Sequence, residues 1–335
     1  MTGHATTHVS GIGTWRVGTR ASALARVQAA TVAAALTANT GRPAELVEIA
    51  TVGDRSGAPL PEIGGTGVFV SALRDALVAG TIDVAVHSYK DLPTGPVAGL
   101  ALVAVPPRED PRDALVARDG LTLAELPVGA TIGTGSPRRA AQLRLLGLGL
   151  DVVGIRGNVD TRLRKVAERE IDAVVLARAG LSRLGRLAEI TETFDPIVML
   201  PAPAQGALAV EGTAERAEEL ASALAGLDDP ASRAAVLAER TVLTVLEAGC
   251  SAPIGALAEV VEGEDELELS LRAVAVDLDG TASIRWSASG PVHEPEALGR
   301  RVAAELLEGG AADLVGLPSV VRPAPLQPAA GGTRR

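Results

Sequence analysis

Two stretches of this chain, AGTIDVAVHSYKDLP (79–93) and EREIDAVVLARAGL (168–181), follow one pattern. Each runs through a helix end, Ile-Asp, a continuous apolar segment and a turn of polar or small residues. An unbroken apolar run of this length is a strand buried on both faces, the kind found in parallel sheets. Its recurrence, with helical stretches between the runs, restricts the chain to an α/β fold with two similar lobes.

The connections are marked by proline. VPPREDPRDALVARDG (105–120) carries the chain out of the first lobe, and VMLPAPAQGALAVE (198–211) brings it back. Beyond Asp228 the pattern changes. DPASRAAVLAERTVLTVLEAG (229–249) reads as one long amphipathic helix with Gly249 as a left-handed stop. GALAEVVEG, ELELSLRAVAVDL and TASIRWSASG then read as three strands, the last two joined through Asp279-Gly280. EPEALGRRVAAELLEGG closes an α+β unit. The expected division is 14–107 with 206–226 as the first lobe, 112–200 as the second and 228–318 as the C-terminal domain, with 1–13 and 321–335 disordered.

Hydrophobic residues make up 47% of the chain and aromatics 1%, so the core must be built from Ala, Val, Leu and Ile. The net charge of −10 speaks against a nucleic acid or an acidic membrane as partner. No run has the length of a transmembrane helix, and MTGHATTHVSGIGT lacks the basic and apolar regions of a signal peptide, so the expected location is cytoplasmic. The histidines show no metal-ligand spacing.

Arginine recurs at turns from strand to helix. Arg20 and Ser22 stand at the mouth of one helix. Ser136 is an N-cap followed by Pro137, Arg138 and Arg139, and Arg156 and Arg162 flank a third helix start. Cations oppose the helix dipole there, at about 0.3–1 kcal/mol each. Backbone N–H groups and guanidinium forks pointing the same way suit a ligand with several carboxylates or phosphates. Solvated surface charge is the plainer reading of any one of them. GTGSPRR lacks the Gly-Lys-Ser/Thr ending of a Walker loop.

Only two of the 31 Lys and Arg residues are lysines, Lys90 and Lys165. Lys165 lies on a charged helix face. Lys90 and Asp91 follow His87 and Ser88 at a strand's C-terminal end, where open α/β sheets bind ligands. Asp91 can exchange a proton or face a cationic intermediate there, unless the two form a solvent-exposed pair. His87 reads as a packed, hydrogen-bonded histidine. Cys250 is the one cysteine, in LEAGCSAPIG, and is either a small buried hydrophobe or an attachment point. A preceding helix C-terminus would raise its pKa above ~8.5, which suits a thiol modified once better than one cycling in every turnover.

The runs RVGTRASALARVQA, GTGVFVSALRDAL, DVAVHSYKDLP, GTGSPRRAAQL, IRGNVDTRL, PAPAQGALAVE and LEAGCSAPIGA occur in this order. With them the chain resembles the hydroxymethylbilane synthase (porphobilinogen deaminase) family from about Trp15 to Leu317. The resemblance implies two lobes like those of type II periplasmic binding proteins and a small C-terminal domain with a three-stranded antiparallel sheet. It implies a monomeric transferase that condenses four porphobilinogen molecules head to tail, releases ammonia at each addition and frees linear hydroxymethylbilane by hydrolysis. It further implies a dipyrromethane cofactor joined by a thioether to Cys250, and Asp91 as the catalytic acid. Lys90, Ser136, Arg138, Arg139 and Arg156 would bind the cofactor, and Arg20, Ser22 and Arg162 the substrate. Thr66 and Glu62 depart from the family pattern, which favours basic residues in that loop, and Pro137 stands where leucine is usual. Two other readings stay open: a cytosolic two-lobe binding protein for a small polycarboxylate, and an enzyme using a Lys90 Schiff base or a Ser88–Lys90 dyad.

Overall fold

The computed structural model describes residues 13–50, 67–249, 252–264 and 266–316. Cys250, Thr66, Glu62 and both terminal tails expected to be disordered, apart from Gly13, lie outside the described residues.

The first sheet contains β1 (Trp15–Thr19), β2 (Ala44–Glu48), β3 (Val84–Ser88) and β4 (Leu100–Ala104), and the second β5 (Asp113–Ala117), β6 (Thr131–Thr134), β7 (Asp151–Gly154), β8 (Ala173–Ala177) and β9 (Glu192–Thr193). β10 (Leu208–Thr213) returns to the first, giving the orders β2-β1-β3-β10-β4 and β7-β6-β8-β5-β9. Crossing strands aside, the first three strands of each lobe in chain order, β1, β2 and β3 in one and β6, β7 and β8 in the other, are parallel, and the strand next to the third is antiparallel to it. That strand is the crossing strand: β5 belongs to the outgoing connection and β10 to the return. This is the two-lobe arrangement expected for type II periplasmic binding proteins.

The repeated Ile-Asp has a structural cause. Asp83 precedes β3, and its carboxylate accepts the N–H of Arg16 in β1 at 2.8 Å. Asp172 precedes β8, and its carboxylate accepts the N–H of Thr131 in β6 at 2.7 Å. Each aspartate ties the third strand of its lobe to the start of the first. The strands that follow, VAVHS and AVVLA, are buried in all but the last residue, as an apolar run without alternation requires.

Helices follow the strand ends. α1 (Ala23–Thr40) and α2 (Gly67–Val78) belong to the first lobe, and α3 (Pro137–Leu145), α4 (Val159–Ala167) and α5 (Arg178–Arg183) to the second. α6 (Ala217–Ala223) follows β10 and packs its buried Leu220 and Ala223 into the first lobe's core. α7 (Pro230–Val245) and α8 (Pro295–Glu308) cover one face of an antiparallel sheet, β11 (Ile254–Glu262), β12 (Leu267–Val276) and β13 (Ser283–Pro291). Val242, Leu243, Leu271, Val302 and Leu306 fill this core without aromatic side chains. α9 (Ala311–Leu314) ends the described chain.

The expected helix stop at Gly249 is corrected. α7 ends at Val245, and Glu247 takes the left-handed conformation, with φ 51°. The N–H groups of Ala248 and Glu247 close back on the carbonyls of Leu243 and Thr244 at 2.9 and 3.1 Å. This paired closure buries Ala248 against the core, which offsets the left-handed cost of about 1–2 kcal/mol for a non-glycine residue.

The C-terminal domain is docked onto the second lobe through the β12–β13 loop. Gly280 has φ 71°, and a Cβ there would stand 2.5 Å from Arg144 Cβ and 2.6 Å from the Leu145 nitrogen of α3. Only a bare backbone fits against that helix. Among the described residues, no helix is long and apolar enough to cross a membrane.

Candidate active site

The N-terminal ends of the helices are set by short polar caps. Ser22 caps α1 by accepting the Ala25 N–H at 3.3 Å, and Ser136 caps α3 by accepting the Arg139 N–H at 3.4 Å, with Pro137 at the first helical position. Asn158 does the same for α4 with Thr161 at 2.9 Å. These caps place Arg20 in the first lobe, and Arg138, Arg139, Arg156 and Arg162 in the second, at the carboxyl ends of strands.

The structure brings Lys90, Arg139 and Arg162 together. Lys90 Nζ and Arg139 Nη2 donate to the same acceptor, Gln205 Oε1, at 3.1 and 3.3 Å, joining the third strand of the first lobe to the first helix of the second. The Gln205 amide nitrogen donates to Pro111 O at 2.7 Å and to Asp113 Oδ1 at 2.8 Å. Gly206, with φ 88°, lets this segment close on the outgoing crossing, since a Cβ there would stand 2.3 Å from Glu109 O. Arg162 donates through Nε to Gly157 O at 2.9 Å, and its Nη2 lies 3.4 Å from where a Cβ on Gly135 would stand, so its guanidinium lies over the turn before Ser136.

Electrostatics follow from this crowding. Burial, then Arg139 and Arg156, lower the pKa of Arg162 to about 10. Burial and the charge of Arg139 push Lys90 down to about 8, against the opposing pull of Asp91 and Asp113. Asp113 is fully buried; burial alone would raise its pKa, but Arg138 and Arg139 outweigh that and hold it at about 2. The alternative of a solvent-exposed Lys90–Asp91 pair gives way to a Lys90–Gln205 bond. Among the described residues the Asp91 carboxylate has no hydrogen-bond partner.

Arg138 requires a correction as an open fork. It is buried, and its two terminal nitrogens are taken by Leu200 O at 2.6 Å and Asp113 Oδ2 at 2.7 Å. Arg139 is also buried and holds Asp113 through Nε and Nη2 at 3.0 and 2.8 Å. An acid at the head of the otherwise apolar strand DALVA is what draws both guanidiniums inward. Arg156 is exposed, as the open-fork reading requires. Arg20 and Ser22 are partly buried at the β1–α1 turn. Gln28, further along α1, holds Ser88 Oγ at 3.1 Å, which fixes α1 to the strand end that carries Lys90. His87 is buried with Nε2 3.2 Å from Glu211 Oε2, a structural place rather than a ligand's.

Sequence reasoning missed Gln205 and Asp113. Gln205 is a lone polar residue in a run of small or apolar ones, which was its available signal, whereas Asp113 follows the charged run Arg108–Arg112 and carried none.

Two family models match the chain: "Porphobilinogen deaminase, dipyromethane cofactor binding domain" over residues 15–221, and "Porphobilinogen deaminase, C-terminal domain" over 233–308. The chain belongs to the porphobilinogen deaminase family. It is 61% identical over 305 residues to the porphobilinogen deaminase of Nocardia farcinica, covering 90% of this chain and 87% of that one. It is 59% identical to that of Mycobacterium bovis, covering 90% and 98%. Among solved structures it is similar to the methionine binding protein MetQ, with a TM-score of 0.42, 13% identity, and coverage of 63% of this chain and 89% of that one. As a porphobilinogen deaminase the chain is a transferase of tetrapyrrole biosynthesis, and its cofactor is a dipyrromethane.

Proposed function

We propose that the cleft between the lobes joins porphobilinogen units head to tail on a dipyrromethane held by Cys250, the hydroxymethylbilane synthase reaction. The observation that carries this reading is the convergence of Lys90 and Arg139 on one amide oxygen, with the charges of Arg139 and Arg156 acting on Arg162. No carboxylate is among the charges that shift Arg162. The group fits these residues: they form a surplus of cations at strand ends, and Arg138 Nε is buried without a hydrogen-bond partner among the described residues. A ligand bearing several carboxylates balances that charge, and guanidinium forks suit it better than point charges.

In this reading Lys90, Ser136 and Arg156 hold the carboxylates of the dipyrromethane, and Arg20, Ser22 and Arg162 those of the incoming porphobilinogen. Arg138 and Arg139, whose donors go to Asp113, Leu200 O, Val175 O and Gln205, support the site from behind and add their charge to it. The bound dipyrromethane supplies a pyrrole carbon open to bond formation. When ammonia leaves the substrate's aminomethyl group, the carbon–nitrogen bond breaks and positive charge develops on the substrate pyrrole. The Asp91 carboxylate stabilises that charge and can take up the proton released as units join. Pairing Lys90 with Gln205 leaves the Asp91 carboxylate available for this work.

The thiol required for a thioether is kept reduced in the cytoplasm, which supports that location. A two-lobe binding protein for a small polycarboxylate has no use for the matched C-terminal domain at 233–308.

The test is turnover of porphobilinogen by the purified chain and by Asp91→Asn. The variant is expected to slow each condensation roughly 10²-fold or more while the dipyrromethane stays attached. Near-normal turnover in Asp91→Asn moves the acid elsewhere, and a wild-type chain that releases no ammonia from porphobilinogen ends the reading.

A further inference from the structure

We infer that Arg240, on the C-terminal domain's helix α7, is the positioning residue that fixes Asp91 in the first lobe. Arg240 is buried, and one guanidinium spans the turn that carries Lys90 and Asp91. Its Nη1 donates to Tyr89 O at 3.1 Å and Leu92 O at 3.0 Å, and its Nη2 donates to Pro93 O at 2.6 Å. Its Cζ also lies 4.5 Å from the centre of the Tyr89 ring. The turn is a single 3-10 turn, Tyr89–Asp91, with Leu92 N closing on Tyr89 O at 3.2 Å. So short a turn does little to hold itself in place.

The remaining restraints act on the residues beside Asp91. Tyr89 N donates to Ala207 O at 3.0 Å, and Lys90 Nζ donates to Gln205. The Asp91 carboxylate has no hydrogen-bond partner among the described residues, so the position of the turn's backbone sets the place from which it reaches. A planar guanidinium with donors in a fixed fork can hold three carbonyls at once, which an ammonium cannot do with the same geometry. The arrangement also gives α7 a second task. The helix that packs on the C-terminal sheet also clamps the turn bearing Asp91.

The inference rests on the reading of Asp91 as the acid, and its test has a readout independent of that reading. In Arg240→Gln, deuterium uptake over residues 84–94 is expected to rise, while uptake over 131–146 in the second lobe stays at the wild-type level. Turnover at saturating porphobilinogen is expected to fall about 10- to 100-fold, with KM changed less than about threefold, because a small displacement of a reacting group costs rate rather than binding. Arg240→Lys is expected to recover part of both, and it carries the test if Arg240→Gln fails to accumulate. Leu306→Ala, in the C-terminal core on α8 and away from the fork, serves as the stability control, losing melting temperature but keeping turnover below it. Unchanged uptake over 84–94 overturns the inference whatever the activity. So does an equal loss of turnover in Leu306→Ala, or a change confined to KM. If the wild-type chain does not condense porphobilinogen, the exchange result still decides whether Arg240 holds the turn.

Discussion

Glu239 in α7 and Arg108 in the outgoing crossing form a bidentate ion pair at 2.6 and 3.0 Å, and Glu239 has no exposed surface. The same carboxylate accepts the N–H of Ala204 in the return crossing at 2.6 Å and of Ala258 in β11 at 2.7 Å. One side chain thus joins both crossings to the C-terminal domain. Its cost of burial is offset because every donor it meets is satisfied. Glu239→Ala strands a buried guanidinium and two amides, and is expected to destabilise the fold by about 3–5 kcal/mol. Urea unfolding measures this, and a loss below about 1 kcal/mol would show that the pair is dispensable.

Asp113 predicts an acid limb of stability. Its folded pKa of about 2 lies below the ordinary 3.8, so its contribution is present above about pH 4 and is lost as the pH falls towards 2. The size is of the order of 2 kcal/mol. Asp113→Asn should be less stable than wild type at pH 7, with the gap narrowing between about pH 4 and pH 2. A gap that stays constant down to pH 2 would mean that the carboxylate's charge is not what stabilises the two arginines.

Lys90 predicts a limb on the alkaline side. With a pKa of about 8 in the protein alone, it is charged below pH 8 and loses that charge as the pH rises. Capture of an anionic ligand should therefore weaken above pH 8, and binding should draw protons from solution. The rate at which primer-free protein acquires its adduct from porphobilinogen is expected to fall about five- to tenfold between pH 7 and pH 9. Lys90→Gln should be slower and flat over that range. A wild-type rate with no alkaline limb would place the charge requirement on the arginines alone.

The parts of this fold that were legible in the sequence are those written locally. Ile82-Asp83 and Ile171-Asp172 mark equivalent strands because each aspartate binds the same backbone position, an N–H of the neighbouring first parallel strand. Ser136 and Pro137 mark a helix start because a cap and its helix are adjacent. The direction of Arg138 and Arg139 was not legible, because it depends on Asp113 in a different strand. Nothing in the sequence sets Glu239 and Arg240 apart within the amphipathic run of α7. They are buried because α7 lies against the crossings and the Tyr89–Pro93 turn, which no local pattern records. The end of α7 was misplaced for a related reason: burial of Ala248 in the tertiary core decided which residue took the left-handed conformation.

Attachment at Cys250 is tested by intact mass. The purified wild-type chain is expected to carry a dipyrromethane, and Cys250→Ala to lack it with its fold otherwise retained. A fully active wild-type chain at its bare mass, or an adduct retained in Cys250→Ala, removes the thioether from this position.

The arginines divide into two groups by burial, and the division predicts two phenotypes. Arg156 is exposed and Arg162 partly buried, whereas Arg138 is enclosed between Leu200 and Asp113. Lysine keeps the charge but not the paired donors. Arg156→Lys and Arg162→Lys should therefore fold normally yet stall chain growth, seen as a mass ladder of enzyme bearing successive pyrrole units that stops early. Arg138→Lys should instead lower stability, because its ammonium cannot serve Asp113 and Leu200 together. Arg300→Lys, on the exposed face of α8 with Glu296 at 3.3 Å, should match wild type in both respects. If Arg156→Lys and Arg162→Lys give the wild-type ladder, these side chains are solvated charge, and the carboxylates of the growing chain are held elsewhere.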